Sequence, residues 1–175
     1  MHTTDIIKPE KYEITTQGDF YFNKGGSFVL APHFRMGLID TYLDLDFFAG
    51  TGSLDFMVGA LVKFNILPDF DNQIGLATLM GLKLIQDSDG NQGVIHLSVL
   101  TSKRFPIKKF GVATPYAAIK ADSIIKTGAD GVPITATIGS KLAPKVLKDW
   151  TFYVESSINL NDSYSGLSAG VSYLF

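Results

Sequence analysis

Residues 166–175 read GLSAGVSYLF. In an extended chain Leu167, Ala169, Val171, Tyr173 and Phe175 fall on one face, and Ser168, Gly170 and Ser172 on the other. A period of two marks a β-strand lying between two unlike surroundings. Chain ends ordinarily fray, so alternation kept up to the last residue calls for a partner that holds the end in place.

The same alternation fills the rest of the chain. Clusters such as NKGG, GTGS, LPDFDNQ, QDSDGNQ, TGADG and NLNDSYSG recur at intervals of about ten to twenty residues, which is hairpin punctuation. They predict ten strands, over residues 11–22, 27–38, 41–50, 53–66, 74–86, 93–103, 109–122, 131–141, 150–160 and 166–175. Hairpin after hairpin implies an antiparallel meander. Residues 1–175 read as a single domain, with 1–10 a flexible N-terminal segment.

Sorting each strand into its two faces decides what kind of meander it is. One face carries Tyr12, Ile14 and Phe20, then Phe28, Leu30, Phe34 and Met36, then Leu43, Leu45 and Phe47. It continues through Leu54, Phe56, Val58, Val62 and Phe64, through Met80, Leu82 and Leu84, and through Trp150, Phe152, Val154 and Ile158. No charged residue falls on it. The other face holds Glu13, Asp19, His33, Arg35, Asp44, Asp46, Asp55, Lys63, Lys83, His96, Lys120 and Glu155, spaced by small residues such as Ala31, Gly59, Gly81 and Gly139.

A soluble sandwich turns such an apolar face inward, whereas a transmembrane barrel turns it to lipid. The composition favours the barrel. Charged residues are 18% of the chain, against roughly 25% in soluble domains. The polar face is dilute in charge and rich in Gly, Ala and Ser, which suits the concave inside of a narrow barrel. Aromatic residues gather towards strand ends, as in the girdles at membrane interfaces. The expected fold is therefore an all-β, antiparallel up-and-down transmembrane β-barrel of about ten strands, with a soluble β-sandwich binding module as the alternative. No apolar run approaches the roughly 18–20 residues of a membrane-spanning helix. The opening MHTTDIIKPEKYE has no signal-peptide core, as expected of a chain that starts at a mature N-terminus. A net charge of −2 and the lack of a basic cluster argue against nucleic acid, and the absence of Cys excludes disulfides and thiolate metal sites.

The last strand resembles the C-terminal signature of bacterial outer-membrane β-barrel proteins: a terminal aromatic (Phe175), an aromatic two residues earlier (Tyr173), and apolar residues at alternate positions before it (Val171, Ala169, Leu167). The resemblance is close over ten residues and elsewhere only a strand pattern. It implies an outer-membrane location, a surround of bilayer and lipopolysaccharide, recognition of the terminal segment by the barrel-insertion machinery, and closure of the last strand against the first.

Ten strands make a lumen narrower than a porin's. The polar face then reads as a self-paired lumen network of His33, Arg35, Asp44, Asp46, Lys63, Lys83, His96, Lys120 and Glu155. Arg35 is expected opposite Asp44, His33 opposite Asp46, Lys83 near His96, and Lys141 near Glu155. Such a lumen fits a structural role or a minor passage for small solutes or ions. His33 with Asp46 has the form of a base and its orienter, yet no serine nucleophile stands beside them and G-x-S-x-G is absent, so an enzyme acting on lipid is the third reading. No cofactor or metal is expected, and QDSDGNQ lacks the later Glu of a calcium loop. The connections LPDFDNQ, SKRFPIKK and KLAPKVLKDW are long for one end of a barrel and partly basic. They imply either misplaced strand ends or basic turns that meet an acidic partner or lipid head groups. Ala113, Pro115, Ala117 and Ala121 form a flat outward strip, expected to be a contact face for a second copy of the chain.

Overall fold

The computed structural model describes residues 2–5, 7–22, 26–39, 42–53, 55–69, 73–87, 90–125 and 131–175. Leu54, expected on the apolar face, lies outside the described residues. The strands are β1 (Tyr12–Tyr21), β2 (Ser27–Ile39), β3 (Leu43–Gly52), β4 (Phe56–Leu67), β5 (Gly75–Asp87), β6 (Gly90–Ser102), β7 (Phe105–Ile107), β8 (Gly111–Ile125), β9 (Ile134–Pro144), β10 (Trp150–Asn161) and β11 (Gly166–Leu174). Every neighbouring pair is antiparallel, and the sheet closes on itself: β1 pairs with β11 and β6 with β8, so each long strand has two neighbours.

The result is a closed antiparallel barrel of ten long strands. The three-residue β7 carries the β6 edge onward, pairing Phe105 with Ala113 after a break at Lys103 and Arg104. Closure explains the ordered chain end. Phe175 donates its N–H to the Tyr12 carbonyl at 2.9 Å and accepts from Tyr12 N–H at 3.0 Å. An open edge would leave these groups unpaired.

The faces sort as the alternation predicts, and they are inverted relative to a soluble protein. Leu82, Ile138 and Val154, in the middle of their strands, are 60%, 61% and 55% exposed on the outside, while Asp44 and Lys63 are 1% and 2% exposed inside. Aromatic rings cluster at the end where the chain termini lie. Trp150 and Tyr173 stand 5.2 Å apart, Tyr12 and Phe175 5.8 Å, and Tyr12 and Phe34 5.7 Å. At the opposite, loop end Phe20 and Phe28 lie 4.6 Å apart.

The long basic connections prove to be largely misplaced strand ends. β7 occupies 105–107 and β9 runs on to Pro144, leaving residues 145–149 as the turn. Two of their cations meet acceptors of the same chain: Lys103 lies 3.5 Å from Asp69, and Lys145 donates to the Lys108 carbonyl at 3.0 Å.

Candidate functional site in the barrel lumen

Strand alternation points the charged side chains inward, and closure of the wall brings them face to face. Near the terminus end, Arg35 donates to Glu13 Oε1 at 2.6 Å and to Asp44 Oδ2 at 3.3 Å, and Lys63 Nζ lies 2.5 Å from the same Asp44 oxygen. Midway, Asp46 has His33 at 3.0 Å and His2 at 3.1 Å. Towards the loop end, Asp122 receives Lys83 at 3.0 Å and His96 at 2.7 Å. Glu155 accepts from Lys120 Nζ at 2.6 Å and from the Tyr116 hydroxyl at 2.9 Å. A buried charge is tolerable only when paired in this way.

All nine residues expected in the lumen face inward. Arg35 meets Asp44 and His33 meets Asp46, although the ladder is offset by two from the expected register: Arg35 stands opposite Asp46 and Gly37 opposite Asp44, with a shift between Gly37 and Ile39. Lys83 and His96 are joined through Asp122, which carries the same inward parity as Lys120 but falls on the last residue of the segment 109–122, where alternation gives no signal. Lys141 does not reach Glu155. It stands opposite Tyr153 and pairs with Asp5 at 2.9 Å, because the N-terminal segment brings a closer carboxylate. The candidate base pair His33 and Asp46 has His2 as its third member, not a hydroxyl.

That N-terminal segment is the main departure from the sequence reading. Residues 2–5 and Ile7, expected to be flexible, lie inside the terminus half of the lumen, and Lys8, Pro9 and Glu10 are exposed at its mouth. Thr3, Thr4 and Ile7 are buried there. Thr4 N–H donates to Ser102 Oγ at 3.1 Å, Ile7 N–H to Asp44 Oδ1 at 3.3 Å, and Lys63 Nζ to the carbonyls of Thr3 and Asp5. Pro9 forms a bridge with Gly37. The wall is cut to receive it. A Cβ at Gly37 would stand 2.0 Å from the Ile7 carbonyl oxygen, and one at Gly75 would stand 2.1 Å from Thr4 Oγ1. Burial alone would raise the Asp5 carboxyl, but Lys141, with Arg104 and Lys63 nearby, holds it down to about 2. Burial pushes the His2 imidazole well below its usual range.

A second unforeseen feature is apolar. Phe48, Leu61, Leu79 and Leu100 face inward from β3, β4, β5 and β6 and form one cluster with Ala77. The signal was present as doublets (Phe47-Phe48, Leu61-Val62, Leu79-Met80 and Val99-Leu100), because in a two-faced strand one member of an apolar pair must point inward. Beyond the N-terminal segment this cluster borders a cavity of about 230 Å³, with His2 at its floor and Lys83, His96, Lys120, Asp122 and Glu155 among its walls.

Leu167, Tyr173 and Phe175 of the terminal strand are exposed on the outside and Ser172 is buried within. Pro115 and its alanine neighbours Ala113, Ala117 and Ala121 lie on the outer surface too, on the same parity as the exposed Ile119. Ala117 stands opposite Ile138 and Ala113 opposite Leu142.

The fold and its lumen thus define a closed ten-strand β-barrel with apolar side chains outside and paired charges within. No family model matches the sequence, and no curated protein matches it. Among solved structures the chain is similar to a barrel from de novo design of transmembrane β-barrels, at 12% identity and a TM-score of 0.44, over 98% of this chain and 100% of that one. It is also similar to the β domain of the Bordetella autotransporter BrkA, at 11% identity and a TM-score of 0.46, over 93% and 97% of the two chains. The functional reading rests on the side chains.

Proposed function

We propose that this chain is an integral membrane barrel of the bacterial outer-membrane type, stoppered by its own N-terminal segment. Its role is then structural, or that of a gated minor passage for small solutes. The inversion of the two faces carries the reading. A band of large apolar side chains runs around the outside while Arg35, Asp44, Asp46 and Lys63 are buried within. In water such a band would drive aggregation, whereas in a bilayer it is the required surface. The long strands, of 9 to 15 residues, reach the roughly 9–11 residues that a tilted strand needs to cross. The aromatic groups at both ends then sit at the two interfaces, and the Leu167–Phe175 face is the segment an insertion machinery would read. A soluble sandwich is disfavoured because the sheet closes on itself and leaves no second layer to cover the apolar face.

The stopper gives the test its form. Folded into lipid, the intact chain should migrate faster on an SDS gel unheated than boiled, and should show no single-channel steps in a planar bilayer. A chain lacking residues 2–10 should keep the mobility shift and conduct. Equal mobility with and without boiling would refute the membrane barrel. A shifted but silent deletion chain would refute the stopper.

A further inference from the structure

We infer that the cavity on the loop side of the N-terminal segment is a binding site for a small apolar amine in its protonated form. Three observations meet there. The first is the cavity itself: at about 230 Å³ it has room for roughly eight to ten non-hydrogen atoms at the packing density of protein interiors.

The second is its asymmetry. One wall is Phe48, Leu61, Leu79 and Leu100, in a lumen whose other inward positions are mostly polar or small. Salt-bridged filling does not require that wall, but a ligand with an apolar body does.

The third is charge. Three carboxylates line the cavity, Asp19, Asp122 and Glu155, against two ammonium groups, Lys83 and Lys120. Asp122 and Glu155 each have their lysine. Asp19 is only 7% exposed and has no cationic partner among the described residues. Among those residues it accepts a hydrogen bond from Gln17 Nε2, at 2.7 Å. A buried carboxylate with no cation beside it among the described residues is an acceptor that a ligand cation can pair. The rings of Tyr21 and Tyr164, 5.6 Å apart, line the same cavity and supply aromatic faces that attract an ammonium group. The ligand's nitrogen belongs at Asp19 and its apolar body against the Phe48–Leu100 wall.

The site goes beyond the proposed membrane role and is tested on the full chain folded in detergent, with the unheated gel shift as an independent report that the barrel is intact. Isothermal titration with 2-phenylethylamine should show saturable one-to-one binding. Phenylacetate and 2-phenylethanol, of similar size, should bind at least tenfold more weakly. Asp19→Asn should lower amine affinity at least tenfold and leave the alcohol unchanged, and Leu79→Asn should weaken amine and alcohol alike. Phenylacetate binding as tightly as the amine, unaltered amine binding by Asp19→Asn, or no saturable binding by a barrel that keeps its gel shift would each overturn the inference.

Discussion

Asp5 and His2 lie outside the strands, and both titrate against the docking of the segment that carries them. Asp5 is ionised when docked, with Lys141 2.9 Å away and its carboxyl held at about 2, against an ordinary 3.8 when released. A carboxylate depressed in the docked state stabilises docking above about pH 4 and loses that contribution as pH falls towards 2. His2, pressed against Asp46 and His33, is pushed the other way in charge: burial keeps it neutral, so it takes up its proton on release. A lowered imidazole likewise favours docking above its ordinary 6.5 and opposes it below. Both groups therefore loosen the stopper as pH falls, in two windows. The chain contains no Cys, so Lys8→Cys gives a single attachment point for a spin label on an exposed residue of the segment. The label should be immobile at pH 8, partly freed below about 6.5 and further freed below about 4. His2→Gln should remove the first step and Asp5→Asn the second. Mobility unchanged from pH 8 to pH 2 in the otherwise unaltered chain would contradict this account.

At the scale of elements, the stopper and the wall are matched by shape as well as charge. Gly75 opens β5 where Thr4 crosses it, and Gly37 sits in β2 under the Ile7 carbonyl. In an ordinary strand, replacing Gly by Val improves packing and lowers the entropy cost of folding. Here the added Cβ at Gly75 meets Thr4 at 2.1 Å, against 3.0 Å for the Asp69 Cβ, so Gly75→Val should expel the segment and admit protease to residues 2–10 while the barrel keeps its gel shift. In a chain lacking residues 2–10 only the milder Asp69 contact remains, and the same substitution should cost much less. A destabilisation of equal size in both backgrounds would mean that Gly75 serves the strand and not the stopper. This pairing was not legible in the sequence. HTTDIIKPE has no period of two or of 3.6, and its partners Lys63, Ser102 and Lys141 lie far along the chain. The strands were legible because their two faces meet unlike surroundings, and the closing pair was legible because Phe175 ends in phase. The break at Lys103 and Arg104 was not, since an interruption that continues on the same partner strand reads locally as a turn. The inward apolar wall was hidden for a related reason. Phe48 and Leu79 occupy polar-face positions, and an average over that face conceals four exceptions gathered on adjacent strands.

For the whole molecule, the decisive property is that free energy should depend on depth along the barrel axis and not only on exposure. Ile74, just before β5, is 62% exposed and Leu82, near its middle, is 60% exposed, so in water the two positions are equivalent. Eight residues of strand separate them by about 26 Å along its length, enough to carry one to an interface when the other is at the bilayer centre. Arg on the lipid face costs about 2–4 kcal/mol at the midplane and about 0–1 kcal/mol near the interface. Surface substitutions on a soluble protein stay within about 0.5 kcal/mol at either place. Leu82→Arg should therefore lower unfolding free energy by about 2–4 kcal/mol in urea titrations from phospholipid vesicles, and Ile74→Arg by no more than about 1 kcal/mol. The two effects should converge when the same variants are unfolded from detergent micelles, which adapt their shape around a charge. Equal costs at the two positions in vesicles would show that exposure alone governs the outer face, and the bilayer would then not be the medium for which these side chains are arranged.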